Sequence, residues 1–417
     1  MKKKLLICVL VFVFGNRQAN AQWVQTSGPV DGNVYSLVIS PNGTGGTNLF
    51  AGTDGAGIFL STDNGSNWNA VNNGLTNGNI WALAVTPYAS GKLFAGTDDG
   101  VFLSTDNGTS WNASGLAALT VYALVFSRNL TGDLFAGTDG GGVFLSTNNG
   151  ATWTPVNTAL TNDSVNAFAV SPNGISGTNL FAGTTGGGVF LSTNNGASWT
   201  ATGLTNNYVY SLAANGSNVF AGTLSDGVFL STDNGANWHA TGLTNPNVNA
   251  LSFNGTNIFA GTNDGVFLST NSGTDWFDVN TGMTNVGVFA LAIGPVLSGN
   301  LFAGTDSGGV WKRPLSQMVT SVRSSSDDVP TKFMLQQNYP NPFNPVTQIH
   351  FSVPSAGYVS LKIYDLLGKE IATLVTQTLH VGSYTTDWNS ANMASGVYLY
   401  RLQAGEYTAT KKLVLMK

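Results

Sequence analysis

Between residues 34 and 314 short apolar runs alternate with clusters of Asn, Gly, Asp, Ser and Thr, and the alternation itself repeats. Each unit offers four runs. The first opens on a β-branched residue and covers 34–40, 80–87, 121–127, 165–171, 209–215, 248–254 and 288–294. The second is Phe-Ala-Gly-Thr, which begins at Phe50, Phe94, Phe135, Phe181, Phe220, Phe259 and Phe302, at intervals of 39 to 46 residues. The third reads Gly-Val-Phe-Leu-Ser-Thr, as at 100–105, and the fourth begins at a Trp: Trp68, Trp111, Trp153, Trp199, Trp238 or Trp276. Such short runs, rich in β-branched and aromatic residues and bounded by turn formers, are strands rather than helices. Four strands per unit at a period near forty predict a seven-bladed β-propeller over 22–315.

The last unit breaks the pattern in an informative way. After Gly309-Val310-Trp311-Lys312-Arg313 neither a turn cluster nor a fourth-strand Trp follows. Gln22-Trp23-Val24-Gln25, ahead of the first unit, has the missing character. The N-terminal strand is therefore expected to complete the seventh blade and remove the open seam between the first and last.

Residues 316–332 lose the period and gain Ser and charge, as a linker does. From 333 to 417 the alternation of Ile349, Phe351 and Val353, of Val359, Leu361 and Ile363, and of Val397, Leu399 and Arg401 predicts a small antiparallel β-sandwich. The expected fold class is all-β: a seven-bladed propeller of four-stranded blades closed by the N-terminal strand, then an Ig-like sandwich.

Residues 1–21 carry a basic start (Lys2, Lys3, Lys4), an apolar run over 5–14 and the small-residue ending Ala19-Asn20-Ala21. This is the pattern of a secretory signal peptide, with Gln22 expected as the mature N-terminus and no membrane span after its removal. Cys8, the single cysteine, falls inside that segment, so neither disulfide nor thiol chemistry is expected in the exported protein.

Charge narrows the partners. Residues 22–314 hold 15 Asp, no Glu and only Lys92, Arg128, Lys312 and Arg313, a net charge of −11. Such a surface repels phosphate backbones, which excludes nucleic acid as a partner. No cofactor or metal is expected.

The cluster after each third strand reads Ser-Thr-Asp-Asn-Gly-x-x-Trp at 61–68, 104–111 and 231–238. Its Asp can accept backbone N–H groups further along the turn and its Gly supplies positive φ. The corresponding positions in six units are Asp63, Asp106, Asn148, Asn194, Asp233 and Asn271. Since Asn keeps the acceptor oxygen and loses the charge, the position is expected to need a hydrogen bond and not a carboxylate, hence neither a metal nor catalysis.

These turns resemble the Asp-box (BNR) repeat of sialidases, and the wider unit is similar to propellers of xyloglucanases, sortilin-type receptors and the photosystem II assembly-factor family. The resemblance covers about 290 residues and implies a fold rather than an activity. Sialidase chemistry, as that family implies, takes three arginines and a Tyr/Glu pair, whereas 22–314 hold two arginines and no glutamate. Xyloglucanase-like cleavage takes paired carboxylates across a cleft between two propellers, whereas this chain has one. A glycoside hydrolase using loop-face aspartates is retained as the alternative, and an assembly factor rests on fold resemblance alone. His239, the one propeller histidine, follows Trp238 and reads as an edge residue.

Two rings remain as candidate binding residues. The second position of the innermost strand carries Tyr35, Trp81, Tyr122, Tyr210 and Phe289, with Asn166 and Asn249 in the other two units. The loop after Gly-Thr carries Asp54, Asp98, Asp139 and Asp306, with Asp226 and Asp264 nearby. Propeller wiring puts both rings on the face opposite the turn clusters, where aromatics beside carboxylates suit a sugar or a cationic peptide. Packing and turn chemistry alone would also account for them.

In the tail, Asn338-Tyr339-Pro340-Asn341-Pro342-Phe343-Asn344-Pro345, Ile363-Tyr364-Asp365-Leu366-Leu367-Gly368-Lys369-Glu370, Ser395-Gly396-Val397-Tyr398 and the ending from Lys411-Lys412 appear in order. About 85 residues thus resemble the type A C-terminal sorting domain of the type IX secretion system. Gly368, Gly396, Lys411 and Lys412 are the signal positions, and the last strand reads as a sheet edge. The resemblance implies export by the type IX machinery and a secreted or outer-surface location. Together these readings give a non-catalytic binding or scaffold module whose further partner is a glycan or surface protein.

Overall fold

In a computed structural model, the described residues are 22–416, except 30–31, 43–46, 88–90, 128–131, 174–176, 206, 245, 295–298, 319–322, 326–331, 356, 380–381 and 391–392. The expected signal peptide and most of the expected linker lie outside them.

Seven four-stranded antiparallel sheets follow one another as blades. Blade 1 runs Val34–Pro41, Thr47–Thr53, Ile58–Ser61 and Asn69–Ala70 from the axis outward. Blades 2 to 6 repeat that order, with innermost strands at Ile80–Val85, Val121–Phe126, Val165–Asn173, Val209–Asn215 and Val248–Asn254. In blade 7 the strands Val288–Ile293, Asn300–Thr305 and Val310–Pro314 come from the end of the repeat, and the outermost, Val24–Gln25, comes from the N-terminus. Val24 pairs with Lys312 and Gln25 with Trp311, so the ring is closed as the sequence predicts. Each innermost strand also packs against those of the two neighbouring blades, Val34–Pro41 against both Ile80–Val85 and Val288–Ile293.

The Phe-Ala-Gly-Thr strand explains its own composition. All seven of its phenylalanines are buried to within 1% of full burial, each worth about 1.5–3 kcal/mol. The Gly faces the next blade: a Cβ on Gly52 would stand 2.6 Å from Ile80 Cγ2, and one on Gly304 would stand 2.6 Å from Val34 Cγ1. Blades approach too closely there for any side chain. The Thr hydroxyl turns back into its own blade, as Thr53 Oγ1 donates to the Gly57 carbonyl at 2.7 Å.

The fourth strand begins one residue after the Trp instead of at it, because the indole leaves the blade. Trp111 Nε1 donates to the Val71 carbonyl of the preceding blade at 2.8 Å, Trp199 to that of Val156 at 2.7 Å, and Trp68 to Thr26 Oγ1 at 3.1 Å. Every acceptor lies three residues after the neighbour's own Trp, and Trp23 takes the seventh place by donating to the Val279 carbonyl at 2.7 Å.

The C-terminal unit is a sandwich of two four-stranded sheets. One joins Arg323–Ser325, Gly382–Asn389, Val346–Val353 and Met334–Leu335; the other joins Glu370–Leu379, Gly357–Tyr364, Gly396–Ala404 and Tyr407–Leu415. Ile349, Phe351, Leu361, Ile363, Tyr400 and Leu413 fill the space between them.

Candidate functional site: the mouth of the central channel

The six turns on one face share a single design. Ser61 Oγ donates to Asp63 Oδ1 at 2.9 Å, which also accepts from the Asn67 backbone N–H at 2.8 Å, and Gly65 N–H donates to Ser61 Oγ at 2.8 Å. Asn64 and Gly65 lie at φ 63° and 81°, the left-handed pair the turn demands. Asp106, Asn148, Asn194, Asp233 and Asn271 accept the equivalent backbone N–H at 2.9 to 3.0 Å. The residue four further on adapts. Opposite Asp63 the side chain of Asn67 donates, whereas Asn271 Nδ2 donates to Asp275 Oδ2 at 2.7 Å, so amide and carboxylate exchange places. The Asn67 side chain foremost holds Asp63 down at about 2, the Asn237 backbone N–H does the same for Asp233 at about 2, and the Ser110 hydroxyl lowers Asp106.

On the opposite face a cavity of about 340 Å³ is lined by the innermost strands of all seven blades. Tyr35, Trp81, Tyr122 and Phe289 line it, from four consecutive blades. Tyr35 stacks on Trp81 with centroids 4.7 Å apart, Phe289 leans on Tyr35 at 5.2 Å, and Tyr122 meets Trp81 edge-on at 5.4 Å. Tyr210 stands apart, 38% exposed and stacked on none of the described aromatics. Blades 4 and 6 carry Asn at the equivalent position: Asn166 Nδ2 donates to Thr185 Oγ1 at 2.9 Å, and Asn249 Nδ2 to the Val288 carbonyl at 3.0 Å.

The loop aspartates join this face. Asp98 accepts from Trp81 Nε1 at 2.7 Å through one oxygen and from Asn79 Nδ2 at 2.6 Å through the other. Asp139 accepts from the Ser164 hydroxyl at 2.7 Å, and Asp306 from that of Ser307 at 3.1 Å. The Asp54 backbone N–H is fastened to the Asn33 carbonyl at 3.0 Å, and its exposed carboxylate accepts no hydrogen bond among the described residues. Burial first, then the charges of Asp139 and Asp98, push the Tyr122 hydroxyl above the ordinary tyrosine range.

Sequence reasoning did not single out Asn33 and Asn79. Asn33 donates to the Tyr35 hydroxyl at 3.1 Å and accepts from the Ser307 N–H of blade 7 at 3.1 Å. Both directly precede the first Val or Ile of an innermost strand, a fixed position that could have exposed them. Among the described residues no three His, Cys, Asp or Glu side chains are grouped so as to hold a metal ion.

In the sandwich, Gly368 closes a turn at φ 81° by donating to the Asp365 carbonyl at 3.1 Å, and leaves Leu367 95% exposed beside it. Gly396 starts a strand opposite Leu415, and Lys411 and Lys412 pair with Tyr400 and Leu399. The last strand is outermost in its sheet, but its free edge is engaged: Val414 N–H donates to Asn341 Oδ1 at 2.9 Å, and Phe343 N–H donates to the Val414 carbonyl at 3.0 Å. The Pro-rich segment therefore caps the edge that the sequence leaves open.

Residues 337–416 match the family model described as a secretion system C-terminal sorting domain, and 19–182 match that of the DUF6242 β-propeller domain. The tail is a type IX sorting domain, which makes the secretion machinery a partner and gives the protein a secreted or cell-surface location. No curated protein matches the chain. Similar solved structures include PorZ of Porphyromonas gingivalis, described as an essential bacterial surface component of the type IX secretion system, at 17% identity and TM-score 0.53, with 94% of this chain and 61% of that one covered. The extracellular domain of BT4673 from B. thetaiotaomicron is similar at 14% identity and TM-score 0.56, with 95% and 59% covered. YCF48 from Cyanidioschyzon merolae is similar at 13% identity and TM-score 0.53, with 71% and 100% covered. The chain spans about three-fifths of the length of the first two, and at these identities the likeness is one of fold.

Proposed function

We propose that this secreted or surface-held propeller is a non-catalytic binding module, delivered by its C-terminal domain and docking a ligand at the channel mouth. The bond from Trp81 Nε1 to Asp98 Oδ1 carries the reading, because it joins the aromatic ring and the aspartate loop into one surface. Aromatic faces offer stacking area and carboxylates fix orientation, as in a pocket that recognises without reacting. Both oxygens of Asp98 are already occupied, which suits a positioning group better than an acid or base. The turns on the other face serve the fold in this reading, since Asn and Asp exchange there.

Glycan and peptide arrays probed with the wild type and with Trp81→Ala and Tyr122→Ala test this. Binding lost in both variants is expected; no binding by the wild type, or undiminished binding by both variants, counts against it. Incubation with plant and bacterial polysaccharides separates the hydrolase alternative, which would release products.

A further inference from the structure

Two features of the repeat coincide in four consecutive blades. Blades 7, 1, 2 and 3, which are consecutive, carry an aromatic at the second position of the innermost strand: Phe289, Tyr35, Trp81 and Tyr122. The same four carry Asp directly after Gly-Thr: Asp306, Asp54, Asp98 and Asp139. In blades 4, 5 and 6 that loop position is Thr185, Leu224 and Asn263, and blade 5 alone of these keeps an aromatic, Tyr210, without the Asp. The fold does not require the Asp, because the backbone N–H at this position makes the same bond to the strand before it with Thr185, Leu224 or Asn263 as with Asp54, at 3.0 to 3.3 Å. The coincidence of aromatic and Asp in these four blades marks an arc with a purpose other than closing the ring.

Among the described residues no cation pairs with the charge on that arc. Lys312 Nζ donates to the Asn64 carbonyl on the turn face, Arg313 is buried, and Lys92 lies in the hairpin at the turn-face end of blade 2. The propeller makes no ion pair among the described residues. Asp54, Asp139 and Asp306 are exposed and Asp98 is half-buried beside a continuous aromatic wall, none of them in an ion pair among the described residues, and the field they concentrate there attracts positive charge.

Resting on the reading of the mouth as a ligand site, we infer that the arc over blades 7, 1, 2 and 3 binds a basic peptide segment through Lys or Arg side chains. A cationic head fits the carboxylates, and its apolar stem fits the aromatic wall. A neutral sugar would stack on the rings but leave the negative charge of the four carboxylates without a counter-charge. The arc is extended, with neighbouring rings about 5 Å apart, so it fits a strand-like segment, whose residues advance about 3.3 Å each, better than a single cation.

The test is binding of a labelled nona-arginine peptide and its citrulline counterpart to the full chain, by anisotropy at 50 and 500 mM NaCl. Asp54→Asn and Asp98→Asn are compared with Asp226→Asn and Asp264→Asn, outside the arc. Asp54→Asn removes no hydrogen bond, so it reports binding even if Asp98→Asn disturbs the fold. Expected are binding of the arginine peptide alone, weakening by salt, and a loss of about tenfold per arc carboxylate against no more than about twofold outside it. Equal binding of the citrulline peptide, equal losses from all four substitutions, or no peptide binding overturns the inference. If a glycan then binds and Trp81→Ala abolishes it, the mouth remains a ligand site and only the cationic assignment falls.

Discussion

Trp23 Nε1 and Arg313 Nη1 each donate to the carbonyl oxygen of Val279 at 2.7 Å, so residues near opposite ends of the propeller sequence meet on one acceptor in blade 6. Trp23 is 1% exposed and completes the set of seven indoles that tie each blade to the one before. Arg313, whose protonation burial disfavours and Asp278 supports, makes a shorter hydrogen bond there than the 3.4 Å one to the Gln317 carbonyl.

Removing this closure is expected to cost more than its few residues imply. Trp23→Ala should lower stability by about 3–5 kcal/mol, as for a buried Trp, while the exposed Val24→Thr should stay within about 0.5 kcal/mol. Deleting 22–25 should lower the melting temperature further. Urea unfolding followed by Trp fluorescence measures the first two, and an unchanged melting curve for the deletion would contradict the closure.

The turn carboxylates predict an acid response of definite sign. Asp63 and Asp233 sit at about 2 when folded against an ordinary 3.8, and Asp106 is lowered too. Folded values below unfolded ones give stability that is present above pH 4 and is lost as pH falls toward 2. Replacing all three by Asn keeps the acceptor and removes the titration. The melting temperature of that variant should fall less between pH 5 and pH 2 than that of the wild type, and an identical fall would show that other groups dominate.

Close approach between blades predicts a coupled pair. Gly52→Ala should destabilise by about 1–3 kcal/mol through the clash with Ile80 Cγ2. Combining it with Ile80→Ala should recover part of that loss. A double-mutant cycle with a coupling below about 0.5 kcal/mol would disprove the contact.

The tail makes two predictions. Fusing 333–417 to a periplasmic reporter should send the reporter to the surface of a host with a type IX system, and periplasmic retention would overturn the routing. Within the sandwich, the buried Tyr400 hydroxyl accepts from the Asn338 N–H at 2.8 Å and donates to the Gln336 carbonyl at 2.7 Å, and burial pushes it up to about 12. Tyr400→Phe leaves both partners unsatisfied and should cost about 1–3 kcal/mol in chemical unfolding of the isolated tail.

The blades and their closure were legible because strand pairing within a blade is local and repeats at one period, so that even the absent fourth strand pointed to Trp23. Contacts between blades were less so. Nothing in the run around Trp111 says that its indole crosses to Val71, and the boundary shifted by one residue as a result. The cover over the last strand was hidden for the same reason, since Asn341 finds Val414 73 positions away. At the mouth the residue types could be read, but the bond between Trp81 and Asp98, and the help of Asn79, depend on which rotamers the ring allows.

The pairing of Val24 with Lys312 also sets an order of events. The strand Val24–Gln25 has no partner until residue 312 is free to meet it, so the seventh blade cannot be completed before that residue is available. A chain that emerges from its N-terminus holds this strand unpaired until nearly the whole propeller has followed. Closure joins residues almost 290 positions apart, a long-range step that comes late in folding because its loop entropy must first be met. Completion of the ring therefore reports that the propeller sequence has arrived whole, just before the sorting tail.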